Sequence, residues 1–145
     1  MPVLFLVLIL SFVAIDAGYD VSRDQQAASR VSQRYALRTN LLIVRNALQR
    51  YMQANPGLDG PVSMSALGLD VSFNPDRSIH ALIDAGHGYV YMPMTWIRDD
   101  LETLLGEQPS ALMGIAQGNQ LVSPVTNHSI SLPAVIPDQS IVLML

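Results

Sequence analysis

Three ionisable residues at helical spacing are the first candidates for chemistry in this chain. His80, Asp84 and His87 occupy positions i, i+4 and i+7, a spacing that would bring their side chains to one face of a helix. Imidazole nitrogens and a carboxylate are ligands that zinc accepts, so the three could converge on a metal ion. Gly86 and Gly88 interrupt the helix that such a site would need. A structural or surface role is therefore favoured, and we expect no metal and no other cofactor.

The other polar residues do not form a catalytic pattern. His128-Ser129 lacks the nucleophile elbow and the oxyanion loop of a hydrolase. The acids Asp99, Asp100 and Glu102 suit the positive end of a helix better than acid–base catalysis. The sequence has no Cys, and all eight of its basic side chains are Arg, which excludes thiol nucleophiles, cysteine metal sites, Schiff-base lysines and the P-loop lysine. We therefore expect no catalytic residues and no enzymatic activity.

A dense group of aromatic and Met residues is the remaining candidate. It comprises Tyr89, Tyr91, Met92, Met94 and Trp96. Core packing is the default interpretation of such a group, and a groove that binds a partner is the alternative.

The charges are distributed unevenly along the chain. The net charge of −4 argues against nucleic-acid binding. Six of the eight Arg residues fall between residues 20 and 50, whereas beyond residue 50 only Arg77 and Arg98 accompany nine acids. On a helix, five of these side chains would project within an arc of roughly 80°: Arg23, Arg30, Arg34, Arg38 and Arg45. This basic face is either solvated or a surface for anionic lipid headgroups or an acidic partner helix.

An apolar stripe overlaps the basic segment. It recurs at spacings of 4, 3, 4 and 3, the helical period, through Leu37, Leu41, Val44, Leu48 and Tyr51. This stripe predicts the surface by which the helix docks on a globular domain. Asn55-Pro56-Gly57 should end the helix, because Pro cannot continue it and Gly supplies the turn.

The first fifteen residues are uncharged and mostly apolar. The run predicts an N-terminal membrane anchor, although it is shorter than the about 20 residues that span a bilayer. A cleaved signal peptide would have a basic n-region, which is missing here, and a buried core helix is the third interpretation. The predicted anchor residues are Val3, Leu4, Phe5, Leu6, Val7, Leu8, Ile9, Leu10, Phe12, Val13 and Ile15.

The remaining chain contains short elements with clear boundaries. Ser63 and Gly68 bracket a single turn, and Asn74-Pro75-Asp76 is a helix start for a helix over Ile79, Leu82 and Ile83. Thr95 begins another helix. Strands are predicted over residues 88–93, 113–117, 120–123, 129–132 and 141–145, with Gly118-Asn119 as a hairpin turn.

These observations predict an α+β fold. An N-terminal hydrophobic anchor (residues 1–19) continues into a long amphipathic arginine-rich helix (residues 20–55). A small α+β globular domain with an antiparallel sheet and short helices (residues 56–145) follows.

This layout resembles that of type IV pilins, including the Tyr-x-x-x-Asn-Pro-Gly exit from the helix at residues 51–57. More narrowly, the segments MPVLFLVLILSF, NPGLDGPVSMSALGLD and MGIAQGNQLVSP resemble the small PilM proteins of type IVb pilus operons on conjugative plasmids. The resemblance implies a pilin-like fold and an inner-membrane component of the thin-pilus basal body or pilin transport apparatus. Its partners would be the inner membrane and other pilus-assembly proteins or pilin, and self-association is a further expectation.

Two departures from pilins refine the expected role. No Gly-terminated basic leader precedes the apolar run, and no Glu lies within it, which favours a part that remains at the base of the pilus. A minor pilin-like subunit and a secreted periplasmic binding module are the alternatives. Arg23, Arg30 and Arg34 would place the body in the cytoplasm by the positive-inside rule, whereas the pilin-like layout places it in the periplasm. We expect a single-pass inner-membrane protein with a periplasmic domain.

Overall fold

The structure, a computed structural model, describes residues 29, 32–33, 35–70, 72–93, 112–123 and 129–145. The chain divides into two compact units, Met1–Tyr35 and Ala36–Leu145. In the first unit, the described residues 29, 32, 33 and 35 are helical and exposed. The elements given below belong to the second unit.

The described part of the second unit combines one α-helix with a seven-stranded antiparallel sheet. The helix, α1, covers residues 36–54 of this unit. The other elements are β1 (Gly60–Val62), a 3₁₀ helix (Met64–Leu67), β2 (His80–Asp84), β3 (His87–Pro93), β4 (Met113–Gln117), β5 (Gln120–Val122), β6 (Ser129–Ser131) and β7 (Ser140–Met144). The strand order is β1-β2-β3-β7-β4-β5-β6, which places the C-terminal strand β7 between β3 and β4.

Two tight hairpins set the register of the sheet. Ala85 and Gly86 connect β2 to β3 with φ values of 50° and 79°, and Gly118 and Asn119 connect β4 to β5 with 56° and 59°. Two consecutive positive φ angles are typical of the type I′ turn, whose twist matches that of the flanking strands. The hairpin predicted at Gly118-Asn119 is confirmed.

Side chains alternate between the two faces of the sheet and form two apolar clusters. On one face, Leu41, Val44, Ala47 and Leu48 of α1 pack with Ala81, Ile83, Val90, Met92, Ile115, Ile141 and Leu143. On the other face, the cluster comprises Leu82, Tyr89, Ala116, Leu121, Leu132, Ile136, Val142 and Met144. Because β7 lies at the centre of the sheet, its five residues are all buried.

The predicted end of the helix and the predicted single turn are confirmed. The backbone N–H of Asn55 donates to the carbonyl of Tyr51 at 3.0 Å, and Gly57 follows with a φ of 82°. Ser63 precedes the 3₁₀ helix, and Gly68 ends it in the left-handed conformation.

The helix predicted over Ile79, Leu82 and Ile83 is wrong, because residues 80–84 form strand β2. The Asn74-Pro75-Asp76 segment, which was predicted to begin a helix, forms a turn. Asp76 accepts hydrogen bonds from the Ser78 backbone N–H at 2.9 Å and from its hydroxyl at 2.6 Å, which closes a local turn instead of beginning a helix. The three central residues of β2 are all buried, and such a short apolar run does not distinguish a strand from a helix.

The predicted fold class is also wrong. The described part of the chain is mostly β: a seven-stranded antiparallel sheet with one α-helix and one 3₁₀ helix. It does not show the pilin-like arrangement of an apolar anchor that continues into a long amphipathic helix. The α+β prediction relied too heavily on helix-start signals. The apolar runs that form the core are buried strands.

Across the described ranges, no helix combines the length and the apolar character needed to cross a bilayer. This finding corrects the prediction of a single-pass inner-membrane protein, which no described helix supports. Residues 1–19, to which the anchor was assigned, lie outside the described residues, as does the helix predicted from Thr95.

Candidate interaction surface

The two histidines and the aspartate considered as metal ligands lie on strands β2 and β3. His80 is opposite Tyr91, and Asp84 is opposite His87 at the hairpin end. The His80 and Tyr91 rings contact each other with centroids 5.3 Å apart and planes tilted by 31°. Among the described residues, no three His, Cys, Asp or Glu side chains are placed to hold a metal ion. The strands therefore place His80 against Tyr91 and Asp84 opposite His87, and they do not bring the three side chains together.

Tyr89 is the buried ionisable group of this face. Its side chain is 4% exposed. Burial, and to a smaller extent the Asp84 carboxylate, raise the pKa of the Tyr89 hydroxyl above its ordinary value. The phenol is therefore neutral near neutral pH, as suits a core residue.

The aromatic and Met cluster does not form a single groove within the described part of the chain. Met92 faces α1 and joins the helix-side core, whereas Tyr89 and Tyr91 belong to the opposite face. Met94 and Trp96 lie outside the described residues.

The apolar stripe of α1 is placed against the sheet. Leu41, Val44 and Leu48 are buried in the helix-side core, and Leu37 and Tyr51 pack at its margin. This arrangement leaves the opposite side of α1 exposed.

The predicted basic face is described only in part. Arg38 and Arg45 are half-buried on α1, and Arg23, Arg30 and Arg34 lie outside the described residues. A sixth arginine, Arg50, is exposed. The sequence contains no acid between residues 25 and 58, so α1 contributes positive charge only.

An open depression of about 530 Å³ lies on the outer side of α1. Its described lining consists of Ile43, Asn46, Gln49, Arg50 and Gln53. The three amides can donate and accept hydrogen bonds, and the guanidinium is a fork of donors that fits a carboxylate. Ile43 adds an apolar contact, with 36% of its surface exposed. This lining suits an acidic protein segment with free backbone groups.

This surface was not predicted from the sequence. Amide side chains on the exposed side of a helix do not contribute to a hydrophobic periodicity in the sequence. Arg50 lies outside the arc of the other arginines. The available signal was the run without acids from residue 25 to residue 58.

The acidic residues that the structure describes in this unit lie on connections and strand ends. Asp59, Asp70, Asp76, Asp84 and Asp138 are all exposed. Asp70 accepts hydrogen bonds from the Ser72 backbone N–H at 2.8 Å and from its hydroxyl at 2.5 Å. These bonds, and the equivalent bonds from Ser78 to Asp76, hold the pKa of both carboxyls below the ordinary value. The surface therefore combines a basic helix with acidic connections.

Comparisons with known proteins give this fold a family. A family model described as PilM matches residues 5–144. The crystal structure of PilM from Escherichia coli B7A is 26% identical, covers 83% of this chain and 94% of its own, and has a TM-score of 0.58. A pilM protein from Pseudomonas aeruginosa 2192 is 29% identical over 75% of this chain and 92% of its own, with a TM-score of 0.46. The comparison with curated proteins found no match.

The resemblance to PilM is confirmed, while the type IVb and plasmid setting stays a prediction. Because the family model spans nearly the whole sequence, the chain belongs to the PilM family.

Proposed function

We propose that this chain is a non-enzymatic component of pilus biogenesis that acts in the basal assembly or the pilin transport apparatus of a type IVb system. The observation that carries the proposal is the PilM family match over residues 5–144. The resemblance of the sequence to small PilM proteins of such operons supplies the biological setting. The likeness to the E. coli PilM structure, over 83% of this chain, supports it.

The described surface supports a role in holding other proteins. The depression on α1 offers amides, a guanidinium and an apolar side chain, which are groups that bind protein segments. The exposed carboxylates of Asp70 and Asp76 add negative charges outside this depression. A component that exposes both signs of charge can contact neighbours of either charge.

Deletion of the gene tests the proposed role. The filaments of a piliated host are counted by electron microscopy with and without the gene, and with the gene restored on a plasmid. We expect few or no filaments without the gene and normal numbers after its restoration. Normal filament numbers in the deletion strain would refute a role in pilus biogenesis and favour a separate binding module.

Fractionation distinguishes a basal component from a filament subunit. Pili are sheared from cells that express a C-terminally tagged chain, and both fractions are probed for the tag. The chain should remain with the cells while the major pilin appears in the sheared fraction. A tag that co-purifies with the filaments in constant proportion to pilin would contradict a basal role.

A further inference from the structure

The turn that follows α1 matches the depression on α1 in chemistry. Residues 56–59 are all exposed. Leu58 is 49% exposed, and the carboxylate of Asp59 is its immediate neighbour. The turn therefore presents an apolar side chain, a negative charge and exposed backbone groups together.

The depression presents the complementary groups. Ile43 can contact an apolar side chain, Arg50 can pair with a carboxylate, and Asn46, Gln49 and Gln53 can bond to exposed backbone groups. The charges also agree, since α1 has no acid near Arg50 and residue 59 is the first acid after it. We propose that the chain associates with a second copy of itself, the Leu58–Asp59 turn of one copy binding in the α1 depression of the other.

The expected contact is small and salt-dependent. One turn in one depression buries less surface than a stable dimer requires, so we expect a dissociation constant in roughly the micromolar range or weaker. Raising the salt from about 0.1 M to about 1 M shortens the screening length from about 10 Å to about 3 Å. Association through Arg50 and Asp59 should weaken over this range.

Charge reversal provides the test, with the purified full chain measured by sedimentation at increasing concentration. Arg50→Glu places a carboxylate opposite Asp59 of the other copy, and Asp59→Arg places a guanidinium opposite Arg50 of the other copy. Each variant alone should bind itself roughly tenfold more weakly than the natural chain, since each loses an attraction and gains a repulsion. An equimolar mixture of the two should recover the association, as should the double variant Arg50→Glu/Asp59→Arg.

The controls separate this contact from other causes of association. Every variant retains the apolar residues 1–15, so a difference that depends on charge cannot arise from them. Arg77→Glu introduces the same charge reversal as Arg50→Glu at another exposed site and should leave the association unchanged. Far-UV circular dichroism and the melting temperature check folding, and the milder Arg50→Gln and Asp59→Asn replace any variant that fails to fold.

Three results would overturn the proposal. These are a natural chain that stays monomeric at low salt, single variants that associate as the natural chain does, or a mixture as weak as its components. The measurement uses the purified chain and does not depend on its role in pilus assembly.

Discussion

Two glycines of the sheet differ in what a methyl group would meet, and this difference predicts a large contrast in stability. A Cβ at Gly114 would collide with the carbonyl oxygen of Val122, approach the carbonyl carbon to 2.8 Å and approach Cα of Ser123 to 3.0 Å. All three atoms are backbone. A Cβ at Gly88 would lie 2.6 Å from Sδ of Met52 and 2.7 Å from Cδ1 of Leu145, which are ends of flexible side chains.

The loss of stability expected for each variant depends on which atoms must move. In Gly114→Ala, the end of β5 has to shift, which disrupts the pairing of Ile115 with Val122 as well as overpacking the site. Overpacking costs about 1–3 kcal/mol and a lost hydrogen bond adds about 1 kcal/mol, so we expect a total loss of about 2–4 kcal/mol. In Gly88→Ala, Met52 can adopt another rotamer, and the reduced entropy of the unfolded chain returns about 0.4–1 kcal/mol. We expect a net loss of about 1 kcal/mol.

Urea unfolding followed by circular dichroism measures both variants against the natural chain. The free energy of unfolding should fall in the order natural chain, Gly88→Ala, Gly114→Ala, with about 1–3 kcal/mol between the two variants, the difference of the costs above. Equal losses, or a greater loss for Gly88→Ala, would refute the packing argument and the close approach of β5 to Gly114.

Four further predictions concern single sites. Ala85→Asn should raise the free energy of unfolding by about 0.5–1 kcal/mol, because Asn tolerates the left-handed conformation of a type I′ turn better than Ala; an unchanged urea midpoint would contradict this. Ser140→Ala should leave the midpoint unchanged or raise it, since the buried Ser140 hydroxyl has no hydrogen-bond partner among the described residues, and a lower midpoint would show that the hydroxyl is hydrogen-bonded. The Asp70 and Asp76 carboxyls have lowered pKa values, so their stabilisation is present near neutral pH and is lost as the pH falls below about 4. In the double variant Asp70→Asn/Asp76→Asn, the melting temperature should fall less as the pH is lowered. An unchanged dependence of the melting temperature on acid pH would refute this prediction. The raised pKa of Tyr89 implies stability that is lost above about pH 10, and Tyr89→Phe should reduce that alkaline loss, whereas an identical alkaline profile would count against it.

The local signals of the sequence were reliable where one residue decides the backbone. Gly118-Asn119 predicted its hairpin because both residues tolerate positive φ. Asn55-Pro56-Gly57 predicted the end of the helix because Pro removes the donor that a further turn needs.

The fold class was not predicted because it depends on long-range pairing. Strand β2 has three consecutive buried residues, since both faces of the sheet are covered, so its sequence lacks the alternation that identifies a strand. The position of β7 between β3 and β4 brings together segments that are far apart in the chain, and no local pattern records that pairing. The outer depression of α1 was missed for a related reason, as exposed amides leave no periodic signal.

We propose that this PilM-family chain serves pilus assembly by binding and not by chemistry at its ionisable residues. The most direct test counts filaments on a deletion strain restored with the triple variant His80→Asn/Asp84→Asn/His87→Asn, beside the natural chain and an empty vector. Immunoblotting confirms equal amounts of the two chains. The account predicts filament numbers with the variant equal to those with the natural chain. A variant present at normal levels that restores no filaments would contradict it.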